Sequence, residues 1–265
     1  MIDDYQIIKE EVENLASQFF SNDMAKYASF TRRLLDIYIN ARDKDFLLIH
    51  NPGGWGTTPL ERTLRWERSI VEGVHATIDK LGYTSLLRQY FRTGQGIHER
   101  ILDFREQTRF FFNKAKLMSA ELKFITEHLK NLRVIVIGVS QGAAFSNAVM
   151  QNTCENERIT SIELGLPFPY KNRRILTGNI LAVNSNGLMP DAVMEWNIFT
   201  MLKMFAAAPF RWIIYRLKGK RIKLSYCVNM PGHDYNWEYP EVQRQIEEFL
   251  YDNFGHRNSV EVDVL

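Results

Sequence analysis

The sequence predicts an α/β fold: three layers, α/β/α, around a mostly parallel sheet of about six strands, with an N-terminal helical extension. Three observations carry this prediction. Short apolar runs alternate with longer amphipathic ones, the pattern of parallel strands joined by helices that cover both faces of a sheet. The strongest short run, Arg133-Val134-Ile135-Val136-Ile137-Gly138, is apolar throughout its middle, as a strand buried on both faces must be. The length of 265 residues fits one large core, and no internal repeat or linker rich in Pro, Gly or Ser divides the chain.

Taken in order, residues 1–44 form the helical extension and residues 45–265 the α/β domain. In the extension, Ile7, Ile8, Val12, Leu15 and Phe19 fall at helix spacing, and Tyr27, Phe30, Leu34, Leu35 and Tyr38 repeat the pattern. The period then changes. Asp45–His50 reads as a buried strand running into the glycine loop Asn51-Pro52-Gly53-Gly54-Trp55-Gly56. A helix follows over Leu60–Leu81, a strand over Tyr83–Phe91 and a long helix over Ile97–Leu129. After the strand at Arg133–Gly138, Gln141–Met150 continues as a helix rich in small residues. Strands are expected at Arg158–Gly165, Asn179–Asn184 and Arg221–Val228, and a helix over Trp196–Leu217 kinked at Pro209. Pro240–Phe254 closes the chain, with proline suited to the first helical turn.

Composition narrows the function. Hydrophobic residues make up 45% and charged residues 24%, which excludes a disordered or low-complexity chain. Lys and Arg number 33 against 31 Asp and Glu, a net +2 that gives no reason to expect nucleic acid as a partner. Cys154 and Cys227 lack disulfide or zinc spacing and read as core thiols of a reduced compartment. No metal-ligand spacing and no nicotinamide or flavin fingerprint occurs, so no cofactor is expected. The start Met1-Ile2-Asp3-Asp4-Tyr5 lacks the basic and apolar regions of a secretory signal. Ile198–Leu217, the nearest approach to a membrane span, is interrupted by Lys203, Pro209, Arg211 and Arg216. The expected location is cytoplasmic.

Gly138-Val139-Ser140-Gln141-Gly142 is a G-x-S-x-G pattern lying between the strongest strand and a small-residue helix. That is the setting of a nucleophile elbow, a strained turn that exposes a serine and aims a helix N-terminus at a developing oxyanion. The glycines could also serve only to let a strand meet a helix closely. The phosphate-binding pattern G-x-x-x-x-G-K-[ST] is absent from this turn.

On these residues the chain resembles the α/β-hydrolase superfamily over residues 45 to about 254. The resemblance implies a serine hydrolase in which acid and histidine follow the serine in the order Ser, Asp or Glu, His. His233, in Asn229-Met230-Pro231-Gly232-His233, follows the last expected strand, where that family carries its base. Between Leu164 and Gly232 the only carboxylates are Asp191 and Glu195. The resemblance points to Asp191 as the acid that orients His233, with Glu195 in reserve; Asp191 is equally placed to cap a helix beginning near Ala192. The oxyanion hole implied by the family needs the N–H of Gln141 and a donor from the Asn51–Gly56 loop. Pro52 has no N–H, which leaves Gly53 or Gly54. His50 is expected to shape this loop, and Trp55 to line the acyl pocket or to belong to the core. With the family's strand order, 2-1-3-4-5-6, the site falls at the switch point between the first and third strands. The chain departs from the family's usual plan in lacking two leading antiparallel strands.

The expected activity is therefore cleavage of an ester or thioester through an acyl-enzyme on Ser140, with His233 as base and Asp191 as its orienter. An acyltransferase on the same site, and a binding module without catalysis, are the alternatives. The expected partner is a small acyl substrate, with no obligate protein partner. From Leu164 to Gly232 ten basic residues face two acidic ones, and Trp196–Lys223 is rich in Met and aromatic residues. A core helix with a solvated basic end is the favoured reading of that segment. A lid making weak contact with a membrane surface is the other.

Overall fold

The computed structural model describes residues 2–94, 96–220 and 224–255. Two helices, α1 (Ile2–Phe20) and α2 (Met24–Ala41), precede strand β1 (Phe46–Asn51), helix α3 (Arg65–Lys80) and strand β2 (Ser85–Gln89). Helices α4 (Ile97–Thr108) and α5 (Phe112–His128) lead to β3 (Arg133–Val139), α6 (Gln141–Met150), β4 (Ile159–Leu164) and β5 (Ile180–Val183). Helices α7 (Ile198–Leu217) and α8 (Pro240–Phe254) complete the order.

The sheet has five strands in the order β2-β1-β3-β4-β5, and every pairing is parallel. All C-terminal strand ends therefore lie along one edge, and the order reverses between β1 and β3. Period-two alternation divides the core. Leu47, Ile49, Val134 and Val136 face a layer built from α1, α2, α5 and α6. Phe46, Leu48, Ile135 and Ile137 face α3 and α8. The result is the expected α/β/α sandwich. Val12, Ala16, Phe30 and Leu34 of the first two helices belong to the same apolar cluster as β1 and β3.

Three local expectations are corrected. No sixth strand forms among the described residues: Leu224–Cys227 is a short 3-10 turn, and residues 221–223 of the expected strand lie outside those described. Alternation of apolar residues describes fit to a pleated surface, and it yields no strand where no neighbour pairs with it. The long helix over 97–129 is two, α4 and α5, separated by Phe110 and Phe111 at φ 57° and 59°. Phe111 is fully buried between Phe145 and Tyr170, and Glu106 turns back to accept from the N–H groups of Asn113 and Lys114. Packing of one aromatic ring thus outweighs the continuous helical pattern. Cys227 is buried, but Cys154 is exposed rather than a core thiol. At Pro209, α7 continues as helix on both sides of the missing N–H.

Candidate active site

Ser140 sits between β3 and α6 at φ 53°, ψ −118°, a conformation that L-residues adopt only under constraint. The constraint is visible. A Cβ on Gly142 would fall on the Asn51 carbonyl, and one on Gly138 would fall on Ser146 and the backbone of α6. The glycines two residues either side of the serine let β1, β3 and α6 meet without side chains between them. Ser140 N–H donates to Leu164 O at 2.8 Å, tying the turn to the end of β4.

The candidate base and acid stand on the same edge. His233 Nδ1 lies 2.7 Å from Asp191 Oδ2. The Asp191 side chain is 1% exposed and that of His233 13%. The Tyr235 hydroxyl donates to the same Asp191 oxygen at 2.6 Å, and Asp191 Oδ1 accepts from the N–H groups of Val193 and Met194. No helix begins near Ala192, since α7 starts at Ile198 with Asn197 as its cap; Oδ1 instead holds the turn at Val193 and Met194 while Oδ2 meets His233. Burial alone would raise this carboxyl. The hydrogen bond and charge of His233, the Tyr235 hydroxyl and the Val193 N–H outweigh burial and hold it below its ordinary value. Burial and the adjoining Asp191 charge push the Tyr235 phenol upward, so it remains a proton donor.

The two loops that supply this pair are joined directly: Ala192 N–H donates to Pro231 O at 3.1 Å, and Gly232, at φ +75°, lies against Pro190. His233 in turn lies against Gly165, the residue after β4. A Cβ there would come within 2.9 Å of His233 Cε1. Since Leu164 O accepts from Ser140, the serine and the histidine flank the end of one strand. Among the described residues Ser140 Oγ makes no hydrogen bond to His233; in substrate-free sites this bond is often long and tightens when substrate is bound. Glu195 is exposed and forms no hydrogen bond to His233, so the reserve acid stands aside.

The Asn51–Gly56 loop lies over the serine. The position of a Gly53 Cβ is 3.7 Å from Ser140 Cβ. The choice between Gly53 and Gly54 narrows here. Gly53 N–H donates to the buried carboxylate of Glu67 at 3.0 Å, so it is not available to an oxyanion. His50 Nε2 lies 3.1 Å from the same Glu67 oxygen. Arg92 donates to Pro52 O at 2.6 Å and Gly54 O at 2.5 Å, and lies over the rings of Phe111 and Phe145. Burial lowers its guanidinium to about 10, with Asp103 and Glu67 opposing, so it stays charged at neutral pH. Gly54, at φ +56°, has open space around it, and Gln141 opens α6, where first-turn N–H groups have no intrahelical partner. Trp55 is 40% exposed, on the rim rather than in the core. Trp66 stands edge-on to His233 with ring centroids 6.5 Å apart.

Tyr235, Glu67 and Arg92 escaped sequence reading. Tyr235 carried one usable clue, lying two residues beyond His233. Glu67 sits in the first turn of α3 among other charged residues, where an acidic residue is ordinary, and nothing local distinguishes it. Among the described residues no cluster of His, Cys, Asp and Glu could hold a metal ion.

No protein-family model matches the chain, and no curated protein matches it. Among solved structures it is similar to a Trichoderma reesei cutinase in complex with a C11Y4 phosphonate inhibitor. The TM-score is 0.41 and the identity 12%, over 92% of this chain and 91% of that one. The chemistry of the present chain is read from its own residues.

Proposed function

We propose that this protein is a serine hydrolase that cleaves an ester or thioester through an acyl-enzyme on Ser140. The observation that carries the reading is the His233–Asp191 pair, 2.7 Å long and nearly buried, beside a serine in a strained strand-to-helix turn. With Nδ1–H directed to Asp191, the lone pair of His233 is on Nε2. Ser140 gives its Oγ proton to Nε2 as Oγ attacks the carbonyl carbon. The carbonyl oxygen becomes an oxyanion, met by the N–H of Gln141 at the N-terminus of α6 and that of Gly54 in the loop after β1. Collapse breaks the bond to the leaving alcohol or thiol, which takes the proton from Nε2. Water then repeats the sequence on the acyl-enzyme and frees the acid. Asp191 stays ionised throughout and stabilises the imidazolium.

The test is covalent. A fluorophosphonate should label the wild-type protein on Ser140, and Ser140→Ala should fold and remain unlabelled. Loss of turnover on an acyl ester should reach about a millionfold, the size seen when the nucleophile of a serine hydrolase is removed. Folded wild-type protein that resists labelling would overturn the reading.

A further inference from the structure

Helix α7 is apolar, yet it covers almost nothing. Ala208 is its one buried residue. Phe199, Leu202, Phe205, Phe210, Ile213 and Leu217 are between 49% and 89% exposed. At about 100° per residue these six side chains fall within an arc of about 140° on the helix circumference. The opposite stripe, Met201, Met204, Ala208, Trp212 and Tyr215, is the half-buried side. It packs toward the turn Leu224–Cys227, where Arg211 Nη1 donates to Cys227 O at 3.2 Å. The core-helix reading of this segment is therefore overturned. An apolar patch of this kind marks a binding surface rather than ordinary exterior.

Charge identifies the occupant. The helix holds Lys203, Arg211 and Arg216, is followed by Lys218 and Lys220, and has no Asp or Glu. A second copy of the helix would set these cations against their like. A neutral apolar groove would leave them unanswered. An anionic lipid surface takes both the apolar arc and the cations. Arg216 lies 5.0 Å from the Trp212 ring and Lys220 Nζ 5.9 Å from the Tyr215 ring, the pairing of cation and aromatic that suits a membrane–water boundary. Among the described residues α7 is the one helix long and apolar enough to cross a membrane. Lys203 and Arg216 on the exposed side, and a docked stripe along its other side, fit a helix lying in the plane of the interface instead.

The apolar exposure continues around the catalytic edge. Leu188 and Met189 project from the loop that leads to Asp191, and Phe168 stacks on Trp196 at 5.4 Å, both partly open to solvent. We propose that α7 is an in-plane membrane anchor that seats the C-terminal edge of the sheet on an anionic bilayer, so that the acyl substrate is taken from the lipid phase. The substrate clause rests on the hydrolase reading; the anchor does not.

Flotation with vesicles tests the two apart. Wild-type protein and Ser140→Ala should both float with vesicles of phosphatidylcholine and phosphatidylserine at low salt, less with phosphatidylcholine alone, and less at high salt. The triple variant Phe199→Ser, Phe210→Ser, Leu217→Ser should keep its circular dichroism spectrum and lose at least about tenfold in partitioning. It should still hydrolyse a short soluble ester, while losing rate on a long-chain ester held in vesicles. Flotation without any fluorophosphonate labelling would keep the anchor and discard the hydrolase. Wild-type protein that stays in solution at low salt, or a triple variant that floats equally, overturns the anchor. So does a wild-type dimer in solution that the triple variant converts to monomer.

Discussion

Asp191 Oδ2 serves two donors at once, His233 Nδ1 at 2.7 Å and the Tyr235 hydroxyl at 2.6 Å. A carboxylate held in this way resists protonation, and the imidazole it holds cannot rotate freely. Tyr235 is thus a positioning residue for the base. Tyr235→Phe removes one donor to a buried charge, an interaction of roughly 1.5–3 kcal/mol. Turnover should fall by about ten- to a hundredfold, and the acid limb of the pH–rate profile should move to higher pH as Asp191 loses part of its support. An unchanged acid limb would make Tyr235 a packing residue only. Asp191→Asn should cost more, on the order of ten-thousandfold, because the amide also selects the wrong imidazole tautomer. The folded Asp191 carboxyl lies below its unfolded value. It therefore adds stability above that unfolded value, and the contribution is lost as pH falls through the folded one. Chain order, glycine spacing and a shortage of carboxylates left few choices in the sequence, and so singled out Ser140, Asp191 and His233 as candidates; of these the fold pairs His233 with Asp191. Tyr235 and Glu67 were not singled out, since each gains its role from a partner 44 or 14 positions distant.

Strand β4 carries a different carboxyl. Glu163 is fully buried, accepts from Asn147 and pairs with Arg174 at 3.0 Å. Burial still dominates and raises it to about 7, with Arg174 pulling the other way. A carboxyl raised on folding favours the native state at low pH, and that support fades as pH rises from the unfolded value through about 7. The wild-type unfolding free energy should therefore fall across this window, by an amount on the order of 3 kcal/mol. Glu163→Gln leaves the Arg174 charge unpaired and should be less stable overall, so the slope and not the level is the readout. A slope that survives Glu163→Gln would assign it to another group. The strand–turn–helix of β3 and α6 was readable to within one residue because local pattern and tertiary environment agree there. The break between α4 and α5 was not readable. It depends on Phe111 finding a pocket between Phe145 and Tyr170, which lie on other elements.

The first two helices face the same core as the sheet. Val12, Phe30, Leu34, Leu35 and Ile37 are almost wholly buried against it. At roughly 2 kcal/mol per buried side chain, they contribute about as much as the 5–15 kcal/mol net stability of an ordinary domain. A chain of residues 45–265 should therefore be insoluble, or lose cooperative thermal unfolding, when compared with the full chain. A truncated protein that unfolds cooperatively would make residues 1–44 a separable extension.

Patterns of two and 3.6, read along the chain, were sufficient for the layer order, the parallel strands and the strand-to-helix serine turn, because both faces of each inner strand demand apolar residues. They were insufficient wherever an apolar residue has two ways to be satisfied. Apolar residues at 198–217 can lie under a sheet or stand outside it, and the same letters serve both; in the fold α7 stands outside, with Ala208 its one buried residue. The same limit governs the Asn51–Gly56 loop proposed to hold the oxyanion. A glycine N–H looks alike in sequence whether it points at substrate or at Glu67, and only the packing of α3 beneath the loop turned Gly53 toward the carboxylate and left Gly54 open.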